Sequence, residues 1–390
     1  MFTKLIPIIA GLVLALLPGG RVSAADNLVL VSIDGLRWQE VFAGYDAALL
    51  ESGALSAGAE SLAEKYGGAS AEEKRRRLMP FLWDTVGTRG VLVGNRNRGS
   101  KMAVTNSWWF SYPGYNELLS GKADPQIDSN DAVPNPNTTF LEWLNGKRNY
   151  RGRIAAFGSW DAFPAIINRE RSGVYVNAGF EPADWKNLSQ RAQTLNQLLA
   201  QIPGAWDTVR YDALTYGLAR EYLLQHRPKV LYIALGETDD FAHEKKYGQY
   251  LRAAHRADQF IADLWQTLQS IDDYRGNTNL IITVDHGRGR DAATWPHHAS
   301  PQELQRKYSG QHPLAESGIA GSDEIWLAAI GPDIVAAGEV SGGETLYLNQ
   351  VAATALLLLG EKPGDFSKDM GAAMAALLNQ PARLRRPDPN

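Results

Sequence analysis

The stretch Leu28-Val29-Leu30-Val31-Ser32-Ile33, followed at once by Asp34-Gly35, decides the fold. Its apolar residues do not alternate with polar ones. A strand with one wet face would alternate, because successive side chains point to opposite sides. A near-continuous apolar run instead marks a strand buried on both faces, as in a parallel sheet covered by helices. Similar runs recur: GVLVG near 90, GRIAAFG near 152, KVLYIALG near 229, NLIITVDHG near 279 and EIWLAAIG near 324. Helical patterns lie between several of them. The clearest covers 247–271, where Tyr250, Ala254, Ala257, Ile261, Leu264 and Leu268 recur at helical spacing. Strands alternating with helices predict an α/β fold, with a mostly parallel central sheet sandwiched by helices. Stretches 40–78 and 160–208 break the rhythm and are expected to be insertions forming a cap on a single domain spanning 25–390.

The chain has 390 residues, 44% of them hydrophobic, enough for one large core. Its net charge of -4 gives no sign of a nucleic-acid-binding surface. The basic runs Lys74-Arg75-Arg76-Arg77 and Arg383, Arg385, Arg386 read as solvated surface. At the N-terminus, Lys4 precedes an apolar run from Leu5 to Pro18 and then Val22-Ser23-Ala24-Ala25. A basic start, an apolar middle and small residues at the end make a signal peptide over 1–24, cleaved after Ala24 or Ala25. The apolar run is shorter than the roughly 20 residues of a membrane span. A secreted or periplasmic protein with no membrane span after cleavage is expected. Cysteine is absent, so no disulfide forms.

In open parallel sheets, ligands gather beyond the carboxyl ends of the strands. Three such ends carry chemistry. Asp34 follows the first strand, Glu237-Thr238-Asp239-Asp240-Phe241-Ala242-His243 follows the strand near 229, and Asp285-His286-Gly287 follows the strand near 279. Taken singly, Asp34 reads as a turn residue, Asp239 as a helix cap and Ser111, before Pro113, as another cap. Taken together they are three carboxylates and two imidazoles. That mixture with open positions suits zinc, with manganese and iron as rivals. Five ligands exceed one tetrahedral site, whereas two ions sharing them with one further histidine would each reach about four. A two-metal clamp serves in-line displacement at phosphorus, and a metal-bound serine hydroxyl becomes a nucleophile without a histidine base.

In order along the chain, SIDGLR with Asp34, FSYPGY with Ser111, ETDDFAH, TVDHG and the later GPDI resemble the alkaline phosphatase superfamily, most closely its nucleotide pyrophosphatase/phosphodiesterase branch. The resemblance runs from about residue 28 to about 360. It implies an alkaline phosphatase-like fold and a hydrolase of phosphoric esters, diester or monoester, working through a phosphoseryl intermediate on a small-molecule substrate. It also implies two divalent metal ions, most simply Zn2+. Asp239, His243 and a late histidine would hold one ion. Asp34, Ser111, Asp285 and His286 would hold the other, with Ser111 as the nucleophile. The branch has Pro where Thr238 stands and Gly where Ala242 stands. Its late histidine comes soon after Asp-His-Gly, but here a long segment separates His286 from Glu324. Trp295-Pro-His-His298 makes His298 the leading candidate, ahead of His312, with His297 also present. Asn130 is expected to touch the transferred group, Trp108 and Trp109 to wall the pocket, and Arg288 or Arg290 to grip phosphate. The alternatives are a sulfuric-ester or phosphonate hydrolase of the same superfamily, or an inactive metal-binding relative. A common-type sulfatase is disfavoured because Tyr115 occupies the position of its arginine. A serine-hydrolase triad is disfavoured because no Gly-x-Ser-x-Gly elbow occurs. Oligomeric state is not encoded in any of these features.

Overall fold

The computed structural model describes residues 24–51, 59–309 and 311–379. The signal peptide expected over 1–24 lies outside them except for Ala24, as does the basic cluster at 383–386. Among the described residues, no helix is long and apolar enough to cross a membrane.

The strands in chain order are β1 (Asn27–Ile33), β2 (Val91–Val93), β3 (Met102–Ala103), β4 (Ile154–Gly158), β5 (Tyr175–Ala178), β6 (Val230–Leu235), β7 (Thr278–Thr283), β8 (Glu324–Ile325), β9 (Leu327–Ile330), β10 (Gly338–Glu339) and β11 (Leu346–Tyr347). The main sheet has the order β10-β2-β9-β7-β1-β6-β4-β5, and a small one has the order β11-β3-β8. The contiguous run β7-β1-β6-β4-β5 is parallel, while β9 runs antiparallel to both β7 and β2. Helices flank this mostly parallel sheet. All seven residues of β1 are buried, as an unalternating apolar run requires. In the helix Tyr247–Ser270, all six residues of the expected apolar stripe are buried.

The register places chemistry at one edge of the sheet. Ser32 pairs with Thr283 and Ile33 with Leu235, so β7, β1 and β6 end side by side. Asp34, the helix Glu237–His243 and Asp285 leave these neighbouring ends together.

Two expectations need correction. The stretch 160–208 is not purely an insertion, because it contains β5, which pairs in parallel with β4 and finishes the sheet. The brevity of β5 and its buried polar Asn177 hid it. The run 74–77 is not uniformly solvated. Arg75 is buried, its guanidinium 3.5 Å from the Trp83 ring centroid and ion-paired with Glu339 at 3.1 Å. Its aliphatic stem and planar head let it cover apolar surface while the charge finds a partner.

The long segment between β7 and β8 folds as a separate wall. Its helix Pro301–Tyr308 is capped by Ser300, whose hydroxyl accepts from the Glu303 amide at 3.0 Å. A small core of Ala299, Leu304 and Ile319, with Leu314 against it, holds the wall together.

Candidate active site

At the strand ends, His286 is the hub. Its Nε2 lies 3.3 Å from Asp34 Oδ1, 3.3 Å from Asp285 Oδ2, 3.3 Å from Ser111 Oγ and 3.9 Å from Asp239 Oδ1. Asp34, Asp285 and His286 offer ligand atoms all within 4.8 Å of one another, and so do Asp239, His286 and His298. His243 Nε2 completes the second group, 3.1 Å from Asp239 Oδ2 and 3.1 Å from His298 Nε2. The structure thus brings together Asp34, Ser111, Asp239, His243, Asp285, His286 and His298. His312 stands apart on the wall formed by the β7–β8 segment.

Local chain chemistry explains the closeness. Gly35 has φ +58, and a Cβ there would sit 2.8 Å from Asp239 Oδ1 and 3.2 Å from His286 Cε1. Gly114 lets the helix Ser111–Ser120 touch the Asp285 backbone, where a Cβ would come within 2.4 Å of the Asp285 carbonyl oxygen. Ser111 is the first residue of that helix rather than its cap, and Phe110 takes the cap position. The Tyr112 amide is satisfied by Asn130 Oδ1 at 3.0 Å. Just before it, Trp109 holds φ 57, costly for a bulky residue. Asn106 Oδ1 accepts from both the Trp108 and Trp109 amides and stabilises that turn.

The imidazoles are preset to bind a cation. His286 Nδ1 must donate to the Gly287 carbonyl (2.8 Å), and His298 Nδ1 to the Trp109 carbonyl (3.1 Å). In their neutral forms both then aim an Nε2 lone pair into the cluster, the arrangement of metal-ligating histidines. Asp34 Oδ1 and Asp285 Oδ2 are buried without any hydrogen-bond partner among the described residues. Burial, then the neighbouring carboxylates, push both acids above the usual range. Burial lowers His286, but Asp285 and Asp34 outweigh it and raise the ring to about 9. A field that holds a proton there holds a metal cation as well. Burial followed by the neighbouring cationic groups keeps His298 well below its ordinary value, hence neutral. Orphaned oxygens, facing lone pairs and a mixed Asp/His donor set fit divalent metal ions.

The other expected contacts fall differently. Trp108 is buried, its indole N–H donating to the Pro125 carbonyl. The Trp109 ring packs toward Gly318, and its carbonyl, not its ring, serves the site by orienting His298. Phe110 and Asn130, and neither tryptophan, line the cavity beside Asp239, His243 and His298. Arg288 is buried and spent on Asp239 and on the Trp295 and Pro296 carbonyls, which fixes the segment delivering His298. Arg290 pairs with Glu324. A cavity of about 690 Å3 opens beside Asp239, His243 and His298, with His297 and His312 on its walls.

The protein-family model for type I phosphodiesterase / nucleotide pyrophosphatase matches residues 66–291, more than half of the chain. The chain belongs to this family. Ser111, Asp239, His243, Asp285 and His286 fall inside the matched span, Asp34 and His298 outside it. No curated protein sequence matches the chain. The alkaline phosphatase PafA superposes with a TM-score of 0.56 at 13% identity, covering 92% of this chain and 100% of that one. Murine ectonucleotide pyrophosphatase/phosphodiesterase 5, an inactive variant in complex with AMP, gives 0.50 at 14% identity over 90% and 100%. The lipoteichoic acid synthase LtaP from Listeria monocytogenes gives 0.53 at 15% identity over 89% and 76%. At such identities the likeness is one of fold, the alkaline phosphatase-like one.

The roles of two residues at this phosphodiesterase-family site were not legible in the sequence. Tyr115 donates its hydroxyl to Asp34 Oδ2 at 2.8 Å. The signal was its spacing, since residues four apart on a helix share a face and Ser111 already marks that face. Thr238, where the branch has proline, donates its hydroxyl to the Asp34 carbonyl. It ties β1 to the helix bearing Asp239, a bond proline cannot make.

Proposed function

We propose that the protein is a two-metal, zinc-dependent phosphodiesterase in which Ser111 is the nucleophile and a phosphoserine is the intermediate. The observation that supports it most is the position of Ser111 Oγ at the start of a helix, 3.3 Å from His286 Nε2, the nitrogen that also lies 3.3 Å from the orphaned oxygens of Asp34 and Asp285. Bound metal would supply Lewis-acid charge neutralisation and lower the pKa of an oxygen ligand. Asp34, Asp285 and His286 would hold one ion, and Asp239, His243 and His298 the other. The Ser111 oxygen bonds to phosphorus as the bond to the first alcohol breaks on the opposite side, and the proton given up by the hydroxyl leaves on that alcohol. Water then cleaves the serine–phosphorus bond and restores the hydroxyl. Incoming phosphate meets the positive end of the Ser111–Ser120 helix and the side-chain amide donors of Asn130, whose oxygen is fixed by Tyr112.

The engagement of Arg288 and Arg290 elsewhere favours diesters over monoesters. A dianionic monoester calls for a bidentate cationic clamp, and neither arginine is free to be one. The N-terminal pattern supports export with cleavage after Ala24 or Ala25.

The test is metal analysis of purified protein together with turnover of a chromogenic diester, monoester and sulfate ester in parallel. Zinc near two per chain, diester turnover exceeding the others, and its loss in Ser111→Ala are expected. Fewer than one metal per chain after zinc loading, or near-wild-type turnover by Ser111→Ala, refutes the mechanism. The N-terminal residue of the exported protein checks cleavage.

A further inference from the structure

The cavity beside Asp239, His243 and His298 is walled largely by the segment between β7 and β8, most of which lies beyond the matched span of 66–291. Two neighbouring cations on this wall have different fates. Arg306 ion-pairs with Glu303 at 2.7 Å and Asp128 at 3.4 Å, and its guanidinium lies 5.0 Å from the Trp108 ring centroid. It therefore anchors the helix Pro301–Tyr308 to the loop carrying Asn130. Lys307 lines the cavity, and among the described residues no carboxylate lies within ion-pair distance of its ammonium. The carboxylates lining the cavity, Glu303 and Asp239, already face Arg306 and the site histidines respectively. His312 lines the same cavity, and its Nδ1 accepts from the Leu314 amide at 3.1 Å. Its remaining ring nitrogen is therefore an N–H donor. A cavity of about 690 Å3 is larger than one phosphate requires and has room for an alcohol with a tail.

We propose that this cavity is a subsite for a second negative charge on the substrate, borne on the tail of an esterifying alcohol and held by Lys307 and His312. The inference rests on the phosphodiesterase reading and deepens it: the preferred substrate is a phosphodiester whose alcohol carries a further carboxylate or phosphate. The ammonium supplies charge, the imidazole N–H supplies direction, and the pre-anchored helix keeps the ordering cost low.

The experiment is calorimetric binding to the zinc-loaded full protein. The ligands are a short series of ω-phosphonoalkanoates, their carboxyl methyl esters and the matching alkane bisphosphonates. At the best chain length, a charged tail is expected to bind about tenfold tighter than the ester tail. The carboxylate and bisphosphonate arms identify which anion the subsite takes. Lys307→Gln and His312→Gln should each shrink the gap, Lys307→Arg should preserve it, and Lys362→Gln, outside the cavity lining, should leave it unchanged. Equal affinity for charged and neutral tails at every length overturns the subsite. Turnover of bis-p-nitrophenyl phosphate by the same preparation reports separately on the hydrolase. Tail discrimination without turnover would sink the hydrolase and keep the anion site, while turnover without discrimination would do the reverse.

Discussion

Tyr115 donates its hydroxyl to Asp34 Oδ2 at 2.8 Å, while the other oxygen of Asp34 faces His286 Nε2 at 3.3 Å. One hydrogen bond therefore fixes the angle at which a buried carboxylate would meet a metal ion. Removing it in Tyr115→Phe keeps the ring, which packs edge-on against Phe163 at 4.8 Å. The fold should survive, with metal affinity weakened about 10- to 100-fold, as for other partners of metal ligands. Competition with a chelator of known strength measures the change. Wild-type affinity would show that Asp34 needs no such partner.

Asp34, Asp239 and Asp285 converge in a buried space, so the stripped protein carries their mutual repulsion. Zinc should raise the unfolding temperature, by the equivalent of about 2.7 kcal/mol when free zinc is a hundred times Kd. Asp285→Asn should stabilise the stripped protein and abolish most of that zinc-dependent rise. Thermal unfolding with chelator and with zinc compares all four states. A variant less stable than wild type in chelator would mean that repulsion is not the dominant cost.

For the late histidine, the geometry favours His298, the candidate that Trp295-Pro-His-His298 already put first. His298 Nε2 lies 3.6 Å from Asp239 Oδ1, whereas His312 occupies the cavity wall. His298→Ala should lower the metal content by about one ion per chain, and His312→Ala should not. Elemental analysis after dialysis at fixed free zinc distinguishes them. Loss of an ion in His312→Ala alone would reverse the assignment.

The strands of the main sheet that hold the site were legible because burial on both faces leaves a compositional trace. β1, β6 and β7 are apolar runs that end in charged residues, and those ends carry the site. β5 left no such trace, being four residues long with a polar residue at its centre. The site's carboxylates and histidines were legible because their types and order are unusual. Their supports were not: Arg288 reads in sequence as a free cation, yet it is consumed by Asp239 and two backbone carbonyls. Trp109 reads as a pocket wall, yet its contribution is a carbonyl turned by a positive φ. Such roles depend on where a backbone turns, which side-chain chemistry alone does not encode.

Gly114 sits in the first turn of a helix, where alanine ordinarily adds about 1 kcal/mol of stability. Here the sign should reverse, because the new Cβ would lie 2.4 Å from the Asp285 carbonyl oxygen. Backbone meets side chain at that point, so the helix must move and carry Ser111 away from His286. Gly114→Ala should lose 1–3 kcal/mol, as overpacking typically costs, and its kcat should fall more than its KM rises. Urea unfolding and steady-state kinetics test both, and a stabilised, fully active variant would contradict the close approach.

Far from the site, Asp258 accepts from the Phe81 amide at 2.8 Å and the Leu82 amide at 2.9 Å, deep in the core. Burial nevertheless dominates and raises its pKa from 3.8 to about 7, the two amides offsetting only part of the shift. A carboxyl raised on folding binds more protons in the folded than in the unfolded chain between those values. Its stabilising contribution is therefore complete below about pH 4 and is lost as pH rises to about 7, at up to about 1.4 kcal/mol per unit. In Asp258→Asn this slope should vanish, while one hydrogen bond from a backbone amide is lost at every pH at a cost of about 1–3 kcal/mol. The difference in unfolding free energy between wild type and variant, followed by urea titration across that window, should accordingly shrink as pH rises. A difference independent of pH would show that the two amides hold Asp258 ionised throughout.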